Sequence, residues 1–194
     1  KKEIEKSGGE VLVVKADVSV KKDVKNLIQK TLDRFGKIDI LINNAGIAIS
    51  NPLIKTTEEE WDNIIDTNLK GPYLCSTEVL SHMIRRGKGV IVNISSGAGK
   101  YGFADLVAYC ASKFGLIGLT ESLAKEVNKN GIRVYAICPG AVNTKMQKDV
   151  SGSLPKIAKL LMLQPEDIAR KILPLCYPDC KVRTGSSIEV YWKS

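Results

Sequence analysis

Short β-branched runs alternate with longer segments of helical period along the whole 194-residue chain, and this alternation constrains the fold more than any other feature. Val11-Leu12-Val13-Val14 reads as a buried strand. Residues 20–35 then place Val20, Val24, Leu27, Ile28, Thr31, Leu32 and Phe35 at three- and four-residue spacing, with Gly36 as the stop. Residues 38–42 form the next strand, and Thr57-Glu58-Glu59-Glu60 opens a long helix with a threonine cap and acids on the positive end of its dipole. Gly71-Pro72 is expected to bend that helix. Residues 89–94, 132–137 and 187–191 read as strands, and 106–127 and 165–175 as helices. Parallel strands need crossover helices and are buried on both faces, so the pattern predicts one α/β domain, a doubly wound parallel sheet. Ligands of such sheets bind at the carboxyl ends of the strands. Those positions read Asp17-Val18, Asn43-Asn44-Ala45-Gly46, Ser95-Ser96-Gly97 and Pro139-Gly140, all small, polar or turn-forming.

Composition removes several classes of function. No apolar run approaches the roughly 20 residues that span a bilayer, so no membrane segment is expected. The opening Lys1-Lys2-Glu3-Ile4-Glu5-Lys6 has no apolar stretch behind it and reads as cytoplasmic rather than as a secretory signal. Five cysteines, odd in number and set mostly among apolar neighbours, suit reduced thiols. Only Cys176 and Cys180 are close in sequence, Pro178 lies between them, and the single histidine, His82, is distant, so no metal site is predicted. The net charge of +8 is spread along the chain with acids interleaved, which describes a solvated surface and no nucleic-acid partner.

Tyr109-Cys110-Ala111-Ser112-Lys113 puts a phenol and an ammonium on one helical face. With 6 tyrosines in the chain, about 0.7 such spacings arise by chance. A second, Tyr177 with Lys181, is interrupted by Pro178 and follows no strand end. The context of Tyr109 separates the two: Ser96 ends a strand just upstream of the helix that carries it. An ordinary tyrosine titrates near 10, too high for proton transfer near neutrality, and an adjacent cation favours its phenolate.

Taken in order, Asp17-Val18, Asn43-Asn44-Ala45-Gly46, Asn68 within Thr67-Asn68-Leu69-Lys70-Gly71, Ser96, Tyr109 with Lys113, and Pro139-Gly140 followed by Thr144 cover nearly the entire chain. Together they resemble the short-chain dehydrogenase/reductase family. The resemblance implies a Rossmann-like fold and hydride transfer between NAD or NADP and a carbonyl or secondary alcohol. Tyr109 would be the general acid/base and Ser96 would polarise the substrate oxygen. Lys113 would bind the nicotinamide ribose and lower the tyrosine pKa, and Asn68 would hold a water in a proton relay. Asp17, Val18, Asn44, Ala45, Gly46, Tyr109, Lys113, Pro139, Gly140, Val142 and Thr144 would line the cofactor.

Several of these positions carry a second reading. Ser95 competes with Ser96, because the strand period turns only one of them to the site. Asp17 equally suits a cap for the helix behind it. The Asn43–Gly46 run also reads as a plain strand-ending turn in which Gly46 takes a positive φ. Asn68 also reads as a buried amide that stabilises its own helix bend.

The family's first strand, Gly-rich turn, helix and second strand have no counterpart here, so the domain is expected to be N-terminally incomplete, its first βαβ unit lying outside these 194 residues. The missing turn normally holds the pyrophosphate. In the strand order 3-2-1-4-5-6, Val11–Val14 would then have no partner, unless it slides beside residues 38–42. The segment after Gly140, apolar at Ile157, Leu160, Leu161, Met162 and Leu163, either roofs a hydrophobic substrate or packs a lid helix on the core. Ala98, Gly99 and Phe103 are further candidates for pocket walls. Candidate substrates are a carrier-bound 3-oxoacyl thioester, a sugar or a simple secondary alcohol. Helices 58–86 and 106–127 are apolar on more than one face, with Phe114, Leu116, Ile117, Leu119 and Leu123, and the family pairs them in a homodimer or homotetramer. The alternative function is a non-catalytic interaction module that has lost dinucleotide binding.

Overall fold

The computed structural model describes residues 1–151 and 162–191. Its centre is a parallel four-stranded sheet of order β1-β2-β3-β4, formed by β1 (Ile40–Asn43), β2 (Gly89–Ile94), β3 (Ile132–Pro139) and β4 (Ser187–Val190). The register runs Ile40 opposite Val90, Ile91 opposite Val134 and Ile137 opposite Ile188. Each step between neighbouring strands is a helical crossover, as the alternation requires.

A short helix α1 (Lys2–Lys6) precedes α2 (Lys21–Phe35), which ends on Gly36 at φ 72°, a left-handed position open to glycine at no steric cost. Helix α3 (Glu58–Ile65) starts in a full capping box: Glu60 N donates to Thr57 Oγ1 and Thr57 N to the Glu60 carboxylate. Helix α4 (Gly71–Arg86) and α5 (Val107–Val127) cover one face of the sheet with α2. Val24, Ile28, Val79, Met83, Ala124 and Val127 there meet Ile91, Ile132 and Val134. On the other face α7 (Pro165–Cys176) packs Ile168 and Leu175 against Val90, Val92, Tyr135, Ile137 and Val190. Helix α6 (Lys145–Ser151) follows β3. The doubly wound sheet predicted from the alternation is thus present, with cores on both faces.

Three expectations are corrected. Residues 11–14 form no strand: Val13 is 68% exposed and the segment pairs with neither edge of the sheet. A parallel strand needs a hydrogen-bonded neighbour, and the second strand that would supply one is not in this sequence. The segment is partly exposed and does not slide beside β1. The long helix of residues 58–86 is interrupted by one π-helical turn, Asp66–Lys70, which lies just before Gly71-Pro72 rather than at them. Gly71 is required by packing, since a Cβ there would stand 2.9 Å from Val18 Cγ2. Gly46 does not take a positive φ. Its smallness answers a close approach described below.

Candidate active site

The carboxyl ends of β1 and β2, the π-turn and the first turns of α5 converge. Strand alternation places Ser95 inward, where its hydroxyl donates to Lys113 O at 3.0 Å, and leaves Ser96 at the site. Ser96 Oγ accepts from Ala98 N at 3.1 Å, so its own proton remains to be given, and it hydrogen-bonds the Tyr109 hydroxyl. Ser96 rather than Ser95 therefore faces the tyrosine.

Lys113 is 5% exposed, and its Nζ donates to Ile94 O at 2.9 Å while lying 5.5 Å from the centre of the Tyr109 ring. Burial lowers the Lys113 pKa to about 8. Tyr109 is itself raised by burial, and the Ser96 hydrogen bond draws it only part of the way back. The expected lowering by Lys113 is therefore not what sets Tyr109 in the free protein: the ammonium sits beside the ring and is bonded to a backbone carbonyl.

Asn68, fully buried, belongs to the π-turn, where the widened backbone turns its side chain across to another loop. Its Oδ1 accepts from Ile47 N, and its Nδ2 donates to Ile47 O and to Ser112 Oγ. Both amide protons are thus committed, which ties the end of β1 to α5 rather than stabilising the bend of its own helix. Both groups close on Gly46: a Cβ there would stand 3.2 Å from Asn68 Oδ1 and 3.6 Å from Lys113 Nζ.

Sequence reasoning missed a buried amide chain below the site. Asn43 Nδ2 donates to Asn93 Oδ1 at 2.8 Å and to Ser76 Oγ at 3.3 Å, Asn93 Nδ2 donates to Thr120 Oγ1 at 2.9 Å, and Thr120 Oγ1 donates to Leu116 O. The signal was available: an asparagine near the end of each of two adjacent strands, in direct register.

The remaining candidates are more dispersed. Asp17 is exposed, and its carboxylate accepts from Ser19 N and Ser19 Oγ, which holds its pKa below the usual carboxylate range. It braces the turn before α2 without capping the helix, whose first residue follows Val20. Thr144 Oγ1 accepts from Gln147 N at the start of α6. Pro139 ends β3 and Gly140 follows it, with Gly140 N donating to Val190 O, and Val142 bridges to Leu163. Met162 and Leu163 are buried, while Ile157, Leu160 and Leu161 lie outside the described residues. Cys75, Cys110, Cys138, Cys176 and Cys180 are free thiols. Among the described residues there is no cluster of metal-ligating side chains and no helix long and apolar enough to cross a membrane.

Comparison with known proteins identifies the family. The family model for short chain dehydrogenases matches residues 1–154. The 3-oxoacyl-[acyl-carrier-protein] reductase FabG of Staphylococcus epidermidis is 36% identical over 193 residues, spanning 97% of this chain and 79% of that protein. Its counterpart from Chlamydia pneumoniae is 42% identical over 188 residues, 94% of this chain and 76% of that one. Among solved structures, levodione reductase superposes with a TM-score of 0.89 at 32% identity, covering 95% of this chain and 77% of the other. ElxO with NADP bound gives 0.82 at 34% identity, covering 90% and 74%.

The chain belongs to the short-chain dehydrogenase/reductase family. It is an oxidoreductase that works with NAD or NADP on a small-molecule substrate. The residues present suit the nicotinamide half of such a cofactor: Lys113 is a buried cation whose ammonium has one backbone partner and two further protons to give, and the small Gly46 lies beside it.

Proposed function

We propose that this protein interconverts a carbonyl and a secondary alcohol, with a 3-oxoacyl thioester as its substrate class. The observation that carries the reading is the convergence of Ser96, Tyr109 and Lys113 at the end of β2 in a chain similar to proteins named 3-oxoacyl-[acyl-carrier-protein] reductase. The bound nicotinamide supplies the hydride. Ser96, its oxygen already accepting from Ala98 N, donates a hydrogen bond that polarises the substrate oxygen and keeps its own proton, and Tyr109 transfers the single proton that completes the alcohol. Lys113, with Asn44, Ala45 and Gly46 on one side and Pro139, Gly140, Val142 and Thr144 on the other, would hold the cofactor, and Asp17-Val18 its adenine end. Asn68 has no free amide proton, so a relay water would rest on its carbonyl oxygens rather than on its NH2.

An exposed stripe supports a homodimer or homotetramer: Tyr73 and Ile84 on α4, and Val107 and Phe114 on α5, which is 47% exposed at Phe114. Light scattering at micromolar concentration is expected to give a dimer or larger, and a monomer would remove that part of the reading.

The decisive assay offers NADH and NADPH with a panel of 3-oxoacyl thioesters, sugars and simple ketones, beside Tyr109→Phe. Turnover of the thioesters that disappears in the variant supports the proposal. Preference for a sugar would move the substrate class, and no nicotinamide binding at all would select a non-catalytic interaction module.

A further inference from the structure

Beyond the end of β4, Tyr191 lies against both loops that carry the site. A Cβ placed on Gly97 would stand 3.3 Å from Tyr191 Cε1 and 3.6 Å from its hydroxyl oxygen, and one placed on Gly140 would stand 3.0 Å from Tyr191 Cδ1. Gly97 follows Ser96 directly, and Gly140 follows Pro139. The ring thus fills the gap between the turn after β2 and the turn after β3, and a side chain on either glycine would press on it and shift it by a few tenths of an ångström.

A second tie joins the same turn to the same strand. Lys100, at the far end of the Gly97–Gly99 turn, donates through Nζ to Ser187 Oγ at the start of β4. Ser187, Glu189 and Tyr191 alternate onto one face of the strand, so β4 and the residue after it contact the Ser96 turn at both ends. The turn has little freedom of its own: Gly97, Ala98 and Gly99 are buried, and a Cβ on Gly99 would overlap Ser95 Oγ at 2.5 Å.

The Tyr191 hydroxyl is buried with no hydrogen-bond partner of good geometry. The ionisable groups around it are Glu189, Tyr101 and Cys138. A buried hydroxyl without a well-formed partner costs stability rather than adding to it, and the contacts with Gly97 and Gly140 are made by the ring.

We infer that Tyr191 is a positioning residue whose ring, wedged between Gly97 and Gly140, sets where Ser96 stands relative to Tyr109. The inference rests on the catalytic reading of Ser96 given above. It requires the aromatic volume and not the phenol.

The test compares Tyr191→Phe, Tyr191→Leu, Gly97→Ala and Ser96→Ala in the full chain, reading kcat, KM and the pH profile of carbonyl reduction. Tyr191→Phe is expected to stay within about twofold of wild type. Tyr191→Leu is expected to lose about tenfold in kcat with little change in cofactor KM. Because the Ser96 hydrogen bond lowers Tyr109, loosening it moves the alkaline limb of the profile to higher pH, in the same direction as Ser96→Ala. Gly97→Ala keeps the tyrosine and crowds the same contact, so it reports on the wedge even if the leucine variant does not fold. Wild-type kcat and profile in Gly97→Ala, or in a folded Tyr191→Leu, would overturn the inference. So would a phenylalanine variant as impaired as the leucine one. Full activity of Ser96→Ala would instead bring down the catalytic reading beneath it, and the two failures are told apart by that variant alone.

Discussion

The two sides of the sheet differ in how firmly they are held. On β2 and β3, Ile91, Val92, Val134 and Ile137 are fully buried, each strand is paired on both edges, and helices cover both faces. On the outer side, β1 has one neighbour, Ile42 is 46% exposed, and residues 11–14 pair with nothing. Ser96, Tyr109 and Lys113 all belong to the first region, while Asp17-Val18 and the exposed Asn44 and Ala45 belong to the second. Proton transfer demands placement to a fraction of an ångström, and it is built where backbone pairing and packing over-determine position. Residues assigned to the adenine end of the cofactor lie where the sheet is open.

That contrast is tested most severely at Tyr109. Tyr109→Phe is expected to lower kcat by about 10³-fold, within the range that a lost general acid/base gives. Its unfolding should stay close to wild type, because the substitution keeps the ring and removes only a hydroxyl whose interaction is with Ser96. A variant with a tenth of normal activity would show that another group moves the proton.

Lys113→Met comes next, with an expected loss of about 10²-fold and a distinct effect on stability. The folded pKa of about 8 lies below the ordinary 10.5 of a lysine. Between those values the unfolded chain binds the proton and the folded one does not, so the Lys113 contribution to stability rises with pH across that window. The penalty is fully present below about pH 8 and fades toward 10.5. Subtracting the methionine variant's melting curve from that of the wild type isolates this rise from other groups that titrate there. A flat difference would mean that the buried amine is not perturbed.

Asn93→Leu examines the amide chain beneath the site. It leaves Asn43 Nδ2 without its shorter bond and Thr120 Oγ1 without a donor, at an expected cost of about 1–3 kcal/mol in urea denaturation. No loss would indicate that the strands hold their register without it.

Much of this was legible in the residues. The period of 2 against 3.6 separated strands from helices, and caps such as Thr57 and Gly36 marked the ends. Tyr109 and Lys113 were readable because their spacing follows a strand end. What escaped was set by tertiary contact. Val11–Val14 has the composition of a strand but no neighbour, a fact about a partner and not about the segment. The smallness of Gly46 answers Asn68 and Lys113, from parts of the chain far from it in sequence, so a turn was inferred where a close approach exists. Ser95 and Ser96 were separable only once Lys113 O was seen to accept from the first. The π-turn at Asp66–Lys70 has no local signature, and Asn68 reaches Ile47 and Ser112 because of it.

The smallest effect is expected on the open side of the sheet, and it sharpens the contrast because the comparison is between aliphatic residues. Val13→Ser removes two methyls from a residue 68% exposed, so little transfer energy is lost and no cavity forms; the cost should be under about 0.5 kcal/mol. Ile91→Val removes a single methyl from a residue 0% exposed between β1 and β3, and should cost about 0.5–1.5 kcal/mol. Both are read from urea midpoints at constant slope. If Val13→Ser proved the more costly, residues 11–14 would be buried in solution against a strand or surface beyond those described. The open side would then be as firmly held as the side that carries the tyrosine.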